Sequence, residues 1–165
     1  ENELGFSHVS TSGDPVMVDV GAKDRTFRRA RAQAEISLPN KVLALLKNGE
    51  LYVAKGPVFQ TAITAGIMAV KRTSDLIPLC HPIGVDHCEV NVGTTKTGDI
   101  IITCNVAVEH KTGVEMEALT GVTIAALTIY DMCKSMSHEI TIREVRLLGK
   151  TGGKQDYTAK VVSDE

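Results

Sequence analysis

The sequence predicts an α+β domain, an antiparallel sheet covered by helices, and three observations predict it. In residues 27–38 apolar and polar side chains alternate with a period of two. Two long β-type runs, residues 85–94 and 100–109, meet at Lys96-Thr97-Gly98-Asp99, a hairpin signal. Residues 116–136 form a long segment too apolar to be solvated on any wide face, so a helix there must lie against other elements.

Taken in order, residues 1–13 are polar and carry Ser, Gly and Thr, so a flexible N-terminal tail is expected. One domain follows over residues 14–154, and residues 155–165 form a C-terminal tail. Residues 16–20 read as a short strand. In the alternating segment Ala30, Ala32, Ala34 and Ile36 interleave with Arg29, Arg31, Gln33 and Glu35. Ala, Arg and Glu prefer helix, but only a strand puts all four apolar side chains on one face. Pro39 opens a short helix whose apolar face is Val42, Leu43, Leu45 and Leu46, stopped by Asn48-Gly49. A second helix is expected over residues 58–72, where Ala62, Ala65, Gly66 and Ala69 allow close packing. Residues 73–84 hold two prolines and read as loop, and residues 139–148 as a last strand. There is no internal repeat and no linker.

Composition narrows the function. The chain has 165 residues, enough for one core, with 43% hydrophobic and 23% charged residues, as in ordinary globular proteins. Aromatics are only 4% and Trp is absent, which argues against base-stacking platforms for single-stranded nucleic acid. A net charge of -2 provides no global field for nucleic acid or an anionic membrane, so any polyanion must meet a local cluster of cations. Cys80, Cys88, Cys104 and Cys133 lie far apart without a CxxC pair, which suits reduced thiols in a cytoplasmic setting. No signal-peptide pattern opens the sequence and no apolar run reaches about 18 residues, so no membrane span is expected.

Three segments carry charge where packing does not ask for it. The first runs from Lys71-Arg72 to Cys80-His81-Pro82. The lysine and arginine would complement a helix C-terminus and His81 could be a turn residue, yet a histidine held before a proline is also well aimed. The second is Lys111-Thr112-Gly113-Val114-Glu115-Met116-Glu117, at the entrance to the most apolar helix. Carboxylates are routine there. Two residues rotate a helical side chain by about 200°, so if Glu115 and Glu117 serve one site, Glu115 must precede the regular helix. The third is Asp131 with Lys134, side by side at i,i+3: a surface ion pair, or, among Ala125, Leu127, Ile129, Met132 and Cys133, a partly buried proton-handling unit.

Two decoys fail. Gly149-Lys150-Thr151 resembles the end of a P-loop, but Glu144 stands where a glycine is needed and Gly152-Gly153 follows instead of a helix. Cys80-His81 with His87-Cys88 makes a poor zinc site, because adjacent strand residues point to opposite faces; no metal ligand set is assigned.

The same segments resemble the signatures of a known family. Residues 71–82 (Lys71-Arg72-Thr73-Ser74-Asp75-Leu76-Ile77-Pro78-Leu79-Cys80-His81-Pro82) are close to one signature of the cyclic pyranopterin monophosphate synthase, or MoaC, family. Residues 111–120 and 125–134 match two more, as do Met17-Val18-Asp19-Val20, Lys55-Gly56 and residues 146–153. The resemblance covers residues 16–154. It implies a ferredoxin-like α+β fold and a homohexamer, a trimer of dimers with active sites between subunits. It also implies a lyase of molybdenum cofactor biosynthesis whose substrate is the 3′,8-cyclo-dihydro-GTP made by an upstream radical SAM enzyme. The products are the pterin and pyrophosphate. The site residues it implies are Asp131, Lys134 and Lys55 for catalysis, with Arg28, Lys71, His81, Glu115, Glu117 and Lys150 for substrate binding. No cofactor is required by the sequence, which leaves open whether Mg²⁺ screens the triphosphate.

Physical chemistry makes the set intelligible. A triphosphate needs cations such as Arg28, Lys71, His81 and Lys150, which also stabilise departing pyrophosphate. Ring opening and reclosure need proton transfers, for which Asp131, Lys134 and Lys55 are placed. Glu115 and Glu117 can accept from the amino and ring N–H groups of a guanine-derived ring. Other classes remain at this point: a metabolite-binding module that needs no Asp131–Lys134 pair, charged motifs that only bridge subunits, and, weakest, a metal-dependent hydrolase.

Overall fold

In a computed structural model, which describes residue 10 and residues 12–160, the elements in chain order are β1 (Thr26–Ser37), α1 (Asn40–Leu43), β2 (Leu46–Lys47), β3 (Glu50–Val53), β4 (Gly56–Pro57), α2 (Val58–Val70), α3 (Thr73–Leu76), β5 (His87–Thr94), β6 (Ile100–His110), α4 (Glu115–Cys133), β7 (Thr141–Thr151) and β8 (Tyr157–Thr158). The flexible tail expected at residues 1–13 falls almost wholly outside the described residues.

The alternation in β1 organises the domain. Ala30, Ala32, Ala34 and Ile36 are buried, while Arg29 and Arg31 on the opposite face are exposed. β1 pairs antiparallel with β6 on one side and β7 on the other, giving a sheet of order β5-β6-β1-β7-β8. The expected hairpin joins β5 to β6, with Gly98 at positive φ in its turn. α2 and α4 cover the alanine face of the sheet. They approach closely through glycines: a Cβ on Gly66 would lie 3.0 Å from the Gly121 carbonyl oxygen. The small residues read from α2 therefore serve this contact. α4 is long and apolar enough to cross a bilayer by length and composition, but it is the core helix of this fold, wedged between α2 and the sheet with Val122, Ala125, Ala126 and Ile129 fully buried.

Several boundaries differ from the sequence reading. Residues 16–20 join no strand ladder, since β1 already has a neighbour on each edge; Val18 and Val20 line the cavity described below. The helix after Pro39 lasts only through Leu43, and Leu46 begins β2. Asn48 (φ 51°) and Gly49 (φ 77°) both take positive φ, so they form the tight turn of the β2–β3 hairpin instead of ending a helix. The loop after α2 opens with the single turn α3. α4 stops at Cys133, short of residue 136, and β7 is displaced toward the C-terminus. The small sheet β2-β3-β4 and the edge strand β8 were not read from sequence, being too short to show a period.

Candidate active site

A cavity of about 580 Å³ opens where β1, β7 and the N-terminus of α4 converge. A β-bulge aims one of its key side chains. The pairing of β1 with β7 slips between Arg31/Ala32, so that Ala32 faces Leu147 whereas Ala30 faces Lys150. The extra residue reverses the alternation, and Lys150, not Gly149, shares the helix-covered side. From there its Nζ reaches Glu115 Oε1 at 2.8 Å. Arg28, two residues before Ala30 on the same face, donates through Nε to the His110 carbonyl (3.0 Å) and through Nη2 to the Lys111 carbonyl (3.1 Å).

Glu115 is the first residue of α4, not a residue before it, and both Glu115 and Glu117 line the cavity. The expectation that one must precede the helix fails because the first turn has no preceding turn to restrict its side chains. Glu115 folds back over Gly113, where a Cβ would collide with its carboxylate. Glu117 is 3% exposed, and burial, reinforced by the charge of Glu115, pushes its pKa up to about 7. Burial and the Glu117 charge also raise the Cys80 thiol. His81 Nε2 lies 2.8 Å from the Val18 carbonyl oxygen. A carbonyl only accepts, so Nε2 carries the proton and, in the neutral ring, Nδ1 is left as acceptor.

Lys55, Asp131 and Lys134 meet elsewhere. Lys55, in the turn between β3 and β4, places Nζ 3.2 Å from both Asp131 Oδ2 and the Asp131 carbonyl oxygen. Lys134 Nζ lies 2.6 Å from Asp131 Oδ1. Hydrogen bonds from Lys134 and then Lys55 hold the Asp131 carboxyl below the usual carboxylate range, and Asp131 in turn raises Lys134. The partly buried pair expected from the neighbouring apolar residues is instead solvent-facing, with side chains 54% and 51% exposed. Asp131 and Lys134 continue a stripe of α4 that carries Thr123 and Leu127, while Ile129, Met132 and Cys133 turn to the core. Sixteen residues of helix separate Glu115 from Asp131, about 24 Å at 1.5 Å per residue.

Of the nine residues read from sequence, Arg28, His81, Glu115, Glu117 and Lys150 thus share the cavity, and Lys55, Asp131 and Lys134 form a second cluster. Lys71 caps the C-terminus of α2, exposed, near Cys88 and in neither group. The cavity also includes Lys23 and Lys154, which sequence reasoning missed, and Lys111, which it singled out within a charged segment without assigning it a role. The only signal for Lys23 and Lys154 was their position close after the matched segments that end at Val20 and Gly153. Cations outnumber carboxylates in this lining, the arrangement a polyanion requires.

The comparison with known proteins bears on the same residues. A family model described as the MoaC family matches residues 17–153. The chain belongs to the MoaC family. A cyclic pyranopterin monophosphate synthase of Xanthomonas campestris is 47% identical over 154 residues, covering 93% of each chain. A molybdenum cofactor biosynthesis bifunctional protein of Synechocystis is 49% identical over 157 residues, 93% of this chain and 45% of the relative. Molybdenum cofactor biosynthesis protein 1 of Drosophila melanogaster is also 49% identical over 157 residues, 94% of this chain and 27% of the relative. The MoaC match takes in Arg28, His81, Glu115, Glu117 and Lys150 of the cavity and all of Lys55, Asp131 and Lys134.

Proposed function

We propose that this MoaC-family chain is a cyclic pyranopterin monophosphate synthase, a lyase of molybdenum cofactor biosynthesis. It converts 3′,8-cyclo-7,8-dihydro-GTP to cyclic pyranopterin monophosphate with release of pyrophosphate. The observation that carries the reading is the cavity, in which Arg28, His81 and Lys150 sit with two carboxylates at the start of α4. Arg28 and Lys150 neutralise the triphosphate and the charge that develops on departing pyrophosphate, and His81 faces the same cavity. Glu115 and Glu117 hold the guanine-derived ring through its N–H groups, and Glu117, with a pKa near 7, changes protonation state readily at neutral pH.

Asp131, Lys134 and Lys55 supply proton transfer to the ring in this reading, yet on one chain they lie one helix length from the cavity. We therefore read the site as completed by a second copy. Met116, at the cavity, and Leu127, toward the second cluster, are both exposed on α4 and provide apolar surface for it. A twofold pairing of α4 helices, antiparallel, would set Asp131 of one copy beside Glu115 of the other. A homohexamer of three such dimers fits this reading, in which Lys71, in neither cluster of one chain, is a substrate contact only as the family resemblance implies. The order β1, β5, β6, β7 with intervening helices is the β-α-β-β-α-β pattern, and we read the fold as ferredoxin-like. The reading assigns no resident cofactor and admits Mg²⁺ only as an escort of the triphosphate. It places the protein in the cytoplasm, downstream of a radical SAM enzyme that makes the cyclised nucleotide.

Single-turnover conversion of enzymatically prepared 3′,8-cyclo-dihydro-GTP, following pyrophosphate and pterin together, tests the function. Wild type should release both, while Lys55→Ala and Asp131→Asn bind the nucleotide and stall. Wild type that binds but releases neither product would make the chain a binding relative.

A further inference from the structure

We infer that Lys111 is a positioning residue, which fixes the ring of His81 through the segment of residues 18–23. His81 sits in irregular backbone between α3 and β5, immediately before Pro82, so no ladder locates its ring. The ring is located by its bond to the Val18 carbonyl at 2.8 Å. Val18 itself lies in a segment without ladder pairing, and that segment needs an anchor of its own. Its turn is shaped internally, by the Gly21 amide donating to Asp19 Oδ1 (2.7 Å) and the Lys23 amide donating to the Val20 carbonyl (3.1 Å). Such a turn leaves the Gly21 carbonyl directed outward. Lys111 Nζ donates to that carbonyl at 2.6 Å. Lys111 is in turn rooted, because Arg28 of β1 holds the carbonyls of His110 and Lys111.

The result is a path from the sheet to the imidazole in which hydrogen bonds are joined by backbone: Arg28 to the Lys111 carbonyl, Lys111 Nζ to the Gly21 carbonyl, and, three residues back along the chain, the Val18 carbonyl to His81. Because the last link is a carbonyl, it selects the Nε2–H tautomer and leaves Nδ1 as the acceptor. Lys111 thus acts on the site without needing to touch the substrate. Its effect on turnover rests on the function proposed above; its effect on the His81 ring does not.

The test uses the full chain labelled with ¹⁵N and ¹³C histidine, with long-range proton–nitrogen spectra recorded at about pH 8, where free imidazole is neutral. His81→Asn assigns the ring by loss of its signals. Wild type should show the Nε2–H tautomer for His81. Lys111→Met should populate both tautomers, speed amide exchange at Gly21 and Lys23 by about tenfold or more, and lower kcat with little change in KM. Lys111→Arg, which keeps a donor of similar reach, should restore all three. The inference is overturned if wild type shows the Nδ1–H form. It is equally overturned if Lys111→Met keeps the Nε2–H tautomer and a protected turn while only KM rises, which would make Lys111 a direct contact for the anionic substrate. The ring and exchange readings decide the matter even if no turnover is found.

Discussion

Lys150 Nζ lies 2.8 Å from Glu115 Oε1, joining the end of the sheet to the first residue of the core helix. The contact exists because the bulge in β7 turns Lys150 toward α4, and because Gly113 leaves room for the Glu115 carboxylate. The pair is a local neutralisation of opposite charges. When a polyanionic substrate enters, the ammonium gains a second partner, and the carboxylate keeps lone pairs for N–H donors. Lys150→Met is therefore expected to raise KM by about 10- to 100-fold, at roughly 1.4 kcal/mol per decade, with a smaller effect on kcat. Steady-state kinetics with the double variant Lys150→Met/Glu115→Gln should show non-additivity, as expected for groups in contact.

Asp131 is a carboxylate held by two lysines, and its pKa is depressed by Lys134 and Lys55. Asp131→Asn removes the charge and the proton-accepting oxygen but preserves shape. Turnover should fall by roughly 10²- to 10⁴-fold, the range for a lost acid–base group, while equilibrium binding of the nucleotide is nearly unchanged. Thermal stability should also hardly move, because an exposed ion pair contributes little to folding.

Glu117 links stability to pH. Burial raises its folded pKa from 4.5 to about 7, so the folded state favours the protonated form. The corresponding stability is fully present below the ordinary carboxylate pKa and is lost as pH rises through about 7. Glu117→Gln, neutral at every pH, should flatten this part of the profile. Above pH 7 it should exceed wild type by at most about 3 kcal/mol, given about 1.4 kcal/mol per pKa unit. Urea unfolding of both proteins at one fixed protomer concentration, from about pH 4.5 to 8, measures the difference directly. His110, whose pKa is pushed down by burial and by neighbouring cations, contributes equally to both proteins and cancels.

Glu50 serves a stabilising role invisible in the sequence. Its Oε1 accepts from the Phe59 amide (2.7 Å) and its Oε2 from the Gln60 amide (3.0 Å), capping the N-terminus of α2 from a neighbouring strand. Pro57 at the helix start makes no side-chain cap of its own. Glu50→Ala should cost about 1–2 kcal/mol by chemical unfolding. It should also loosen the turn that carries Lys55, so turnover should drop more than the stability loss alone accounts for.

The main architecture was legible because long elements carry their period openly. The alternation around Ala32 outweighed the helix preference of its residues, and the hairpin and α4 followed the same logic. Three kinds of feature were not legible. Short elements such as β3, β4 and β8 are defined by pairing partners, which no local pattern records. Burial at the C-terminal end of α4 was misjudged for a related reason: apolar neighbours at Ile129, Met132 and Cys133 face inward, while the i,i+3 positions Asp131 and Lys134 face out. Cavity lysines such as Lys23 and Lys154 lie on irregular backbone, where spacing says nothing about direction. The motif segments located the chemistry, but not its division between two ends of one helix.

That division is the central claim, and complementation between two inactive variants tests it most directly. Asp131→Asn retains an intact cavity, and Lys150→Met paired with Glu117→Gln retains an intact Lys55–Asp131–Lys134 cluster. Each should be nearly inactive alone. Unfolded together at equal concentration and refolded, they should recover about a quarter of wild-type turnover, because one site in four then draws both intact halves from different copies. If the mixture stays as inactive as its components although size and mass measurements show mixed oligomers, the two clusters do not serve one site across copies, and an active site shared between subunits is ruled out.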